Sequence, residues 1–101
     1  MAKDRETAFS GVIEHIDKQG GSYSDWYCGV ANDLGRRLHV EHNLPTEQGA
    51  CWLIWFECFN DSIAKLVKAD LLDLGCDGHG GSDSNDAVYV YAYLKQDRTN
   101  P

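Results

Sequence analysis

Residues 27–42 read YCGVANDLGRRLHVEH, and the side-chain periodicity changes within this stretch. At its start, Tyr27 and Gly29 alternate with apolar residues, as in a strand with two different faces. Asp33 stands where a helix N-cap is expected, and two leucines after it are four residues apart, which places them on one helix face. The stretch therefore predicts a strand, a turn and a helix that runs to about His42.

The same stretch carries side chains that are suited to phosphate chemistry. The phenol of Tyr27 can accept a proton, and the guanidinium of Arg37 can bind a phosphate through two parallel hydrogen bonds. Arg36 and His42 lie near Arg37 on the predicted helix. Phosphodiester hydrolysis needs these two kinds of group together with a metal-binding carboxylate.

Each of these residues also fits an ordinary structural role. Tyr27 is a common type of half-buried strand residue, and the Arg36-Arg37 pair is typical of a solvated helix face. His42 is well placed to interact with the dipole at a helix C-terminus. The residue types alone leave both interpretations open.

Upstream of this stretch, apolar side chains recur at helical spacing. They predict an amphipathic N-terminal helix over residues 3–18, which a pair of glycines then ends. The apolar positions are Phe9, Val12, Ile13 and Ile16.

Downstream, the pattern predicts two more strands and one helix. Residues 51–58 (CWLIWFEC) are apolar on both faces, which is typical of a central strand. After these strand residues, Asn60 or Asp61 is expected to cap a helix that Gly75 ends at its C-cap. Residues 87–94 predict a strand whose three tyrosines share one face, either to stack on bases or to pack under a helix. The predicted core stripe of the helix is Ile63, Leu66, Val67, Leu71 and Leu74.

The order of these elements predicts an α+β fold, in which a small three-stranded sheet, antiparallel or mixed, is flanked by helices. At 101 residues the chain is long enough for one hydrophobic core. We therefore expect a single domain over residues 1–101, with its core in residues 23–95 and an extra helix before it.

The composition restricts which partners the protein can bind. Sixteen acidic and nine basic residues give a net charge of −7, which repels polyanions and excludes a general nucleic-acid coat protein. Any nucleic-acid site must be local. No apolar run is long enough to span a membrane and no signal-peptide pattern is present, so we expect a cytoplasmic protein. The four cysteines are expected to be reduced and buried. The sequence contains no Cys-x-x-Cys pair, which is the spacing that would indicate a zinc site.

The order Tyr27-Cys28-Gly29, then Asn32-Asp33-Leu34 and Arg37-Leu38, resembles the second half of the GIY-YIG nuclease motif. The resemblance covers about residues 23–93 and is closest to small stand-alone GIY-YIG-like proteins. It implies a catalytic tyrosine at Tyr27, a phosphate-binding arginine at Arg37, and His42 as a nearby hydrogen-bonding partner. It also implies one Mg²⁺ or Mn²⁺ ion, held in active members by a helix glutamate.

The chain departs from the family pattern in three places. The leading Gly-Ile-Tyr strand is missing, and Tyr23 is the candidate replacement for its tyrosine. Alignment through Gly75 places Lys68 where the family has its glutamate, and an ammonium repels a divalent cation at that position. No glutamate occurs anywhere in that helix. If Lys68 lay beside Arg37, the two cations would form a small positive groove.

Three hypotheses follow. The first is a GIY-YIG-like domain with an impaired or absent nuclease site. Such a domain would bind a nucleic-acid phosphate (for example in DNA) or another phosphate-bearing ligand, or it would bind a protein partner. The second is an active metal-dependent endonuclease whose carboxylate is Glu57 or Glu41. The third is an acidic protein-interaction module.

Overall fold

A computed structural model describes residues 2–42, 52–78 and 87–96, and its fold is α+β with an extra N-terminal helix, as the sequence predicts. A single 3₁₀ turn (Tyr23–Asp25) precedes the first strand. The longer elements are α1 (Arg5–Gln19), β1 (Trp26–Ala31), a π-helix (Arg36–Glu41), β2 (Ile54–Glu57), α2 (Asp61–Leu74) and β3 (Tyr89–Leu94).

The strands form one antiparallel sheet in the order β1-β3-β2. The prediction of a central strand at residues 51–58 is therefore wrong, because β2 lies at an edge and β3 occupies the centre. Trp55 shows the reason: its ring is 48% exposed, although its apolar character suggested burial. A run that is apolar on both faces does not distinguish a covered strand from an edge strand with exposed aromatic rings.

The larger core lies between the helices and one face of the sheet. On α1, Val12 and Ile16 are buried in this core, as the predicted apolar face of the helix requires. Asn60 caps α2 by accepting a hydrogen bond from the backbone of Ile63, and Gly75 ends this helix in the left-handed region at φ 115°. The strand side chains in this core are Trp26, Cys28, Val30, Val90 and Ala92.

The buried face of α2 differs from the predicted stripe. Leu66 is 44% exposed and Leu74 is also exposed, whereas Lys68 is only 7% exposed. Val67 and Leu71 are buried as predicted, and the other buried residues of this helix are Ala64 and Lys68. A rotation of this size is not visible in the sequence, because long apolar residues occur on more than one side of the helix.

The two long helices are joined at the surface by an ion pair. Arg5 on α1 donates two hydrogen bonds to the carboxylate of Asp70 on α2, at 2.7 and 2.8 Å. Among the described residues, none of the helices combines the length and the apolar character that crossing a bilayer requires.

Candidate functional site

The second face of the sheet carries a cluster of tyrosines. Tyr27 on β1 is opposite Tyr93 on β3. Two residues further along the same face, Gly29 is opposite Tyr91. All three phenol rings are buried. A Cβ atom at Gly29 would lie 2.6 Å from the Tyr91 hydroxyl, so glycine is required for this ring to lie across β1.

The π-helix covers this face. Asp33 caps the helical turn that leads into the π-helix, as the sequence predicts for this residue: its carboxylate accepts a hydrogen bond from the Arg36 backbone and its carbonyl accepts one from the Arg37 backbone, each at 3.1 Å. The His42 backbone then donates to the Arg37 carbonyl, five residues earlier, at 3.0 Å. This wider turn is of a type often found at functional sites. It precedes His42, whose ring contacts the tyrosines, and Leu38 packs against the same tyrosines.

His42 lies between two phenols. The Tyr91 hydroxyl is 2.7 Å from His42 Nε2, and the Tyr93 hydroxyl is 3.2 Å from Nδ1. In a neutral imidazole one nitrogen donates and the other accepts. The Arg37 guanidinium also interacts with the Tyr91 hydroxyl. The guanidinium, the Tyr91 phenol, the His42 imidazole and the Tyr93 phenol are thus in successive contact.

Arg37 is half-buried at the border of this cluster. Its Nη1 donates to the Val30 carbonyl at 3.2 Å, which fixes the guanidinium against β1. Burial raises the pKa of Tyr91, the nearby Tyr27 phenol raises it further, and Arg37 opposes both effects. The Tyr91 phenol is therefore harder to ionise than an ordinary tyrosine. The structure thus places the His42 ring against Tyr27 and the Arg37 guanidinium at the border of the same cluster.

Three other predicted residues lie elsewhere. The Tyr23 hydroxyl donates to Asp17 at 3.1 Å, and its ring packs on the helix side of the sheet, away from Tyr27. Arg36 is exposed on the π-helix. Lys68 is carried by α2, which packs on the face opposite to the π-helix, and its charge acts on the thiol of Cys28. Arg37 and Lys68 therefore belong to elements on opposite faces and do not form the positive groove expected from the sequence.

Of the two carboxylates considered for a metal site, the structure describes the side chain of Glu57. Glu57 on β2 pairs with Tyr89 and is exposed on the same face as Tyr91. The side chain of Glu41, the other candidate, lies outside what the structure describes. Within the described residues no group of three or more His, Cys, Asp or Glu side chains could hold a metal ion.

Two residues of the cluster were not predicted as site residues. The alternation in residues 87–94 did indicate that Tyr91 and Tyr93 share a face, and their burial under the π-helix agrees with the packing alternative rather than with stacking on bases. Their convergence on His42 depends on the antiparallel pairing of β1 and β3, which joins residues far apart in sequence.

We compared the chain with models of protein families, with curated proteins and with solved structures, and none of them matches it. The resemblance to GIY-YIG nucleases therefore stays a prediction that rests on the residues themselves.

Proposed function

We propose that this chain is a GIY-YIG-like domain that binds a phosphate of nucleic acid at Arg37 and does not hydrolyse it. The observation that carries the proposal is the fixed position of the Arg37 guanidinium at the border of the Tyr27, Tyr91 and His42 cluster. The planar fork of a guanidinium matches the oxygens of a phosphate. Exposed Arg36 adds a second cation on the same helix.

The burial of the phenols supports binding without hydrolysis. A general base must contact the water that it activates, whereas the Tyr27 ring is packed against His42 at 4.8 Å and against Tyr93 at 5.5 Å between centroids. The α2 position aligned with the metal-binding glutamate holds Lys68, which is on the other side of the sheet. We therefore expect Tyr27 to position Arg37 and His42 rather than to remove a proton from water.

The charge of the protein limits how it binds. With a net charge of −7, long-range attraction to DNA is absent, and the local contact involves only Arg37 and Arg36. A site that neutralises one or two phosphates gives a slope of about −1 to −2 in a plot of log K against log salt concentration. This weak salt dependence distinguishes a local phosphate clamp from a broad basic surface.

The test is fluorescence anisotropy with single-stranded and duplex DNA oligonucleotides at several salt concentrations. We expect Arg37→Ala to abolish binding and Arg37→Lys to weaken it, because an ammonium lacks the planar fork. Lys18→Ala makes the same charge change on exposed α1 and is the matched control. Equal binding by wild type and Arg37→Ala, or equal losses in Arg37→Ala and Lys18→Ala, would contradict the proposal. Absence of binding in every case would favour an acidic protein-interaction module.

A second candidate function is divalent-metal endonuclease activity, which the location of Glu57 favours. A Mg²⁺ or Mn²⁺ ion often uses one or two protein carboxylates together with substrate phosphates and water, and Glu57 is exposed on the face that carries Tyr91. Cleavage of plasmid DNA that requires the metal and is lost in both Glu57→Gln and Arg37→Ala would establish this activity. Glu14→Gln on α1 is the matched control, since it removes an exposed carboxylate from the other side of the sheet.

A further inference from the structure

The sheet face that carries the tyrosines is buried near β1 and exposed at β2. On β2, the Trp55 ring keeps about half of its surface in solvent, and Glu57 is also exposed. Trp55 lies opposite Tyr91 and Glu57 lies opposite Tyr89, so both side chains are on the tyrosine-bearing face. The central strand β3 separates them from Arg37, which contacts β1. This exposed surface on β2 is therefore distinct from the cluster at Arg37.

Two aromatic rings and one carboxylate are neighbours on this surface. The ring centroids of Trp55 and Tyr89 are 5.9 Å apart, and their planes are inclined by 73°. Tyr89 is half-buried, so its ring supports the indole from the side of β3. Glu57 follows Trp55 two residues later on the same strand, and the rise of a strand places it about 7 Å farther along the same face. One long side chain with a planar cationic group can contact both residues.

The charges of this surface favour a cationic partner. None of the ion pairs within residues 2–42, 52–78 and 87–96 includes Glu57. Lys3 contacts this strand through its backbone, which donates to the Glu57 carbonyl at 2.7 Å. The whole chain carries a net charge of −7, which attracts a basic partner and repels a second copy of the chain.

We propose that Trp55, Tyr89 and Glu57 bind an arginine side chain from a basic peptide segment of a partner protein. The guanidinium stacks on the exposed face of the indole and donates hydrogen bonds to the Glu57 carboxylate. Arginine fits both contacts, because a cation is attracted to the face of a tryptophan ring and the parallel N–H groups of a guanidinium match a carboxylate. A lysine ammonium has neither the flat shape nor the paired donors. This interaction goes beyond the phosphate binding proposed for Arg37 and uses different residues.

The experiment is an NMR titration of the isotope-labelled full chain with a blocked peptide in which arginine alternates with glycine. We expect the indole N–H resonance of Trp55 and the amide resonances of Glu57 and Tyr89 to shift until the site is saturated. The same peptide with citrulline in place of arginine has nearly the same size but no charge, and it should bind more weakly by about tenfold or more. A lysine peptide should have an intermediate affinity, because it keeps the charge and lacks the planar group.

Variants test the two contacts separately. Trp55→Ala removes the ring and Glu57→Gln removes the charge, and each should weaken binding of the arginine peptide by about threefold or more. The matched controls are Leu66→Ala, which removes exposed apolar surface from α2, and Glu14→Gln, which removes an exposed carboxylate from α1. Both controls should bind the peptide as the wild type does.

Three results would overturn the proposal. The first is equal binding of the arginine and citrulline peptides, a comparison on the wild type that decides the question even if a variant does not fold. The second is an equal loss of affinity in Glu57→Gln and Glu14→Gln, which would indicate attraction to the net charge alone. The third is a shift of the Trp55 resonance that depends on protein concentration and not on the peptide, which would indicate that a second copy of the chain covers this surface.

Discussion

The buried hydrogen bonds of His42 make Tyr91→Phe an informative substitution. The change removes one hydroxyl, which contacts His42 Nε2 at 2.7 Å and the guanidinium of Arg37. The ring volume is nearly unchanged, so the loss is confined to hydrogen bonding. His42 and Tyr91 are both buried, and water does not readily replace the missing partner. Leaving a buried polar group without its hydrogen-bond partner lowers the free energy of unfolding by about 1–3 kcal/mol.

Urea and thermal unfolding measure this loss. For a domain of this size, each kcal/mol lowers the melting temperature by about 4–8 °C. Tyr23→Phe is the matched control, because it also removes one tyrosine hydroxyl, but the Tyr23 bond to Asp17 is exposed. The control should change stability by less than about 0.5 kcal/mol, as is usual for surface substitutions.

A double-mutant cycle tests the cause. If the loss in Tyr91→Phe arises from an unpaired His42 nitrogen, then replacing His42 by leucine as well removes the unpaired group. The double variant should therefore lose less stability than the sum of the two single losses. The reasoning would be refuted if Tyr91→Phe were as stable as Tyr23→Phe, or if the losses of the two single variants simply added.

Two further predictions concern packing and acid stability. Gly29→Ala forces a Cβ atom to 2.6 Å from the buried Tyr91 hydroxyl and should cost about 1–3 kcal/mol in urea unfolding. Gly35→Ala, at a helical position without crowding, is its control and should not destabilise the fold; equal stabilities for the two variants would contradict the prediction. Arg5 lowers the pKa of the Asp70 carboxyl through hydrogen bonds and charge. Because this pKa is lowered in the folded state, the ion pair stabilises the protein above the unfolded pKa of about 4, and that contribution is lost as the pH falls through the lower folded value. In thermal melts, the stability difference between wild type and Asp70→Asn should shrink with acidification over this range, and a difference that stays constant with pH would disprove the assignment.

Features that depend on neighbouring residues were predictable. The apolar spacing of α1, the Asp33 cap and the Gly75 C-cap all arise from interactions within a few residues, and each is present in the structure. The pairing of Tyr27 with Arg37 and His42 was predictable for a similar reason, because one strand, one turn and one short helix carry all three.

Features that depend on long-range pairing were not predictable. The position of β3 between β1 and β2 is one such feature: of the two edge strands, β1 is buried throughout, whereas β2 leaves Trp55 exposed. The rotation of α2, which buries Lys68 and exposes Leu66, follows from packing against that sheet. The π-helical turn adds one residue to a helical period, and no residue type in the sequence marks it.

The central position of β3 has a consequence for synthesis. Both other strands form their sheet pairs with Tyr89–Leu94, which the ribosome makes after every other strand and helix of the structure. A nascent chain that ends before this segment has helices but no common partner to join β1 and β2. The sheet can therefore close only after residue 94 has left the exit tunnel, whereas α1 and α2, which contact each other directly, are complete before that moment.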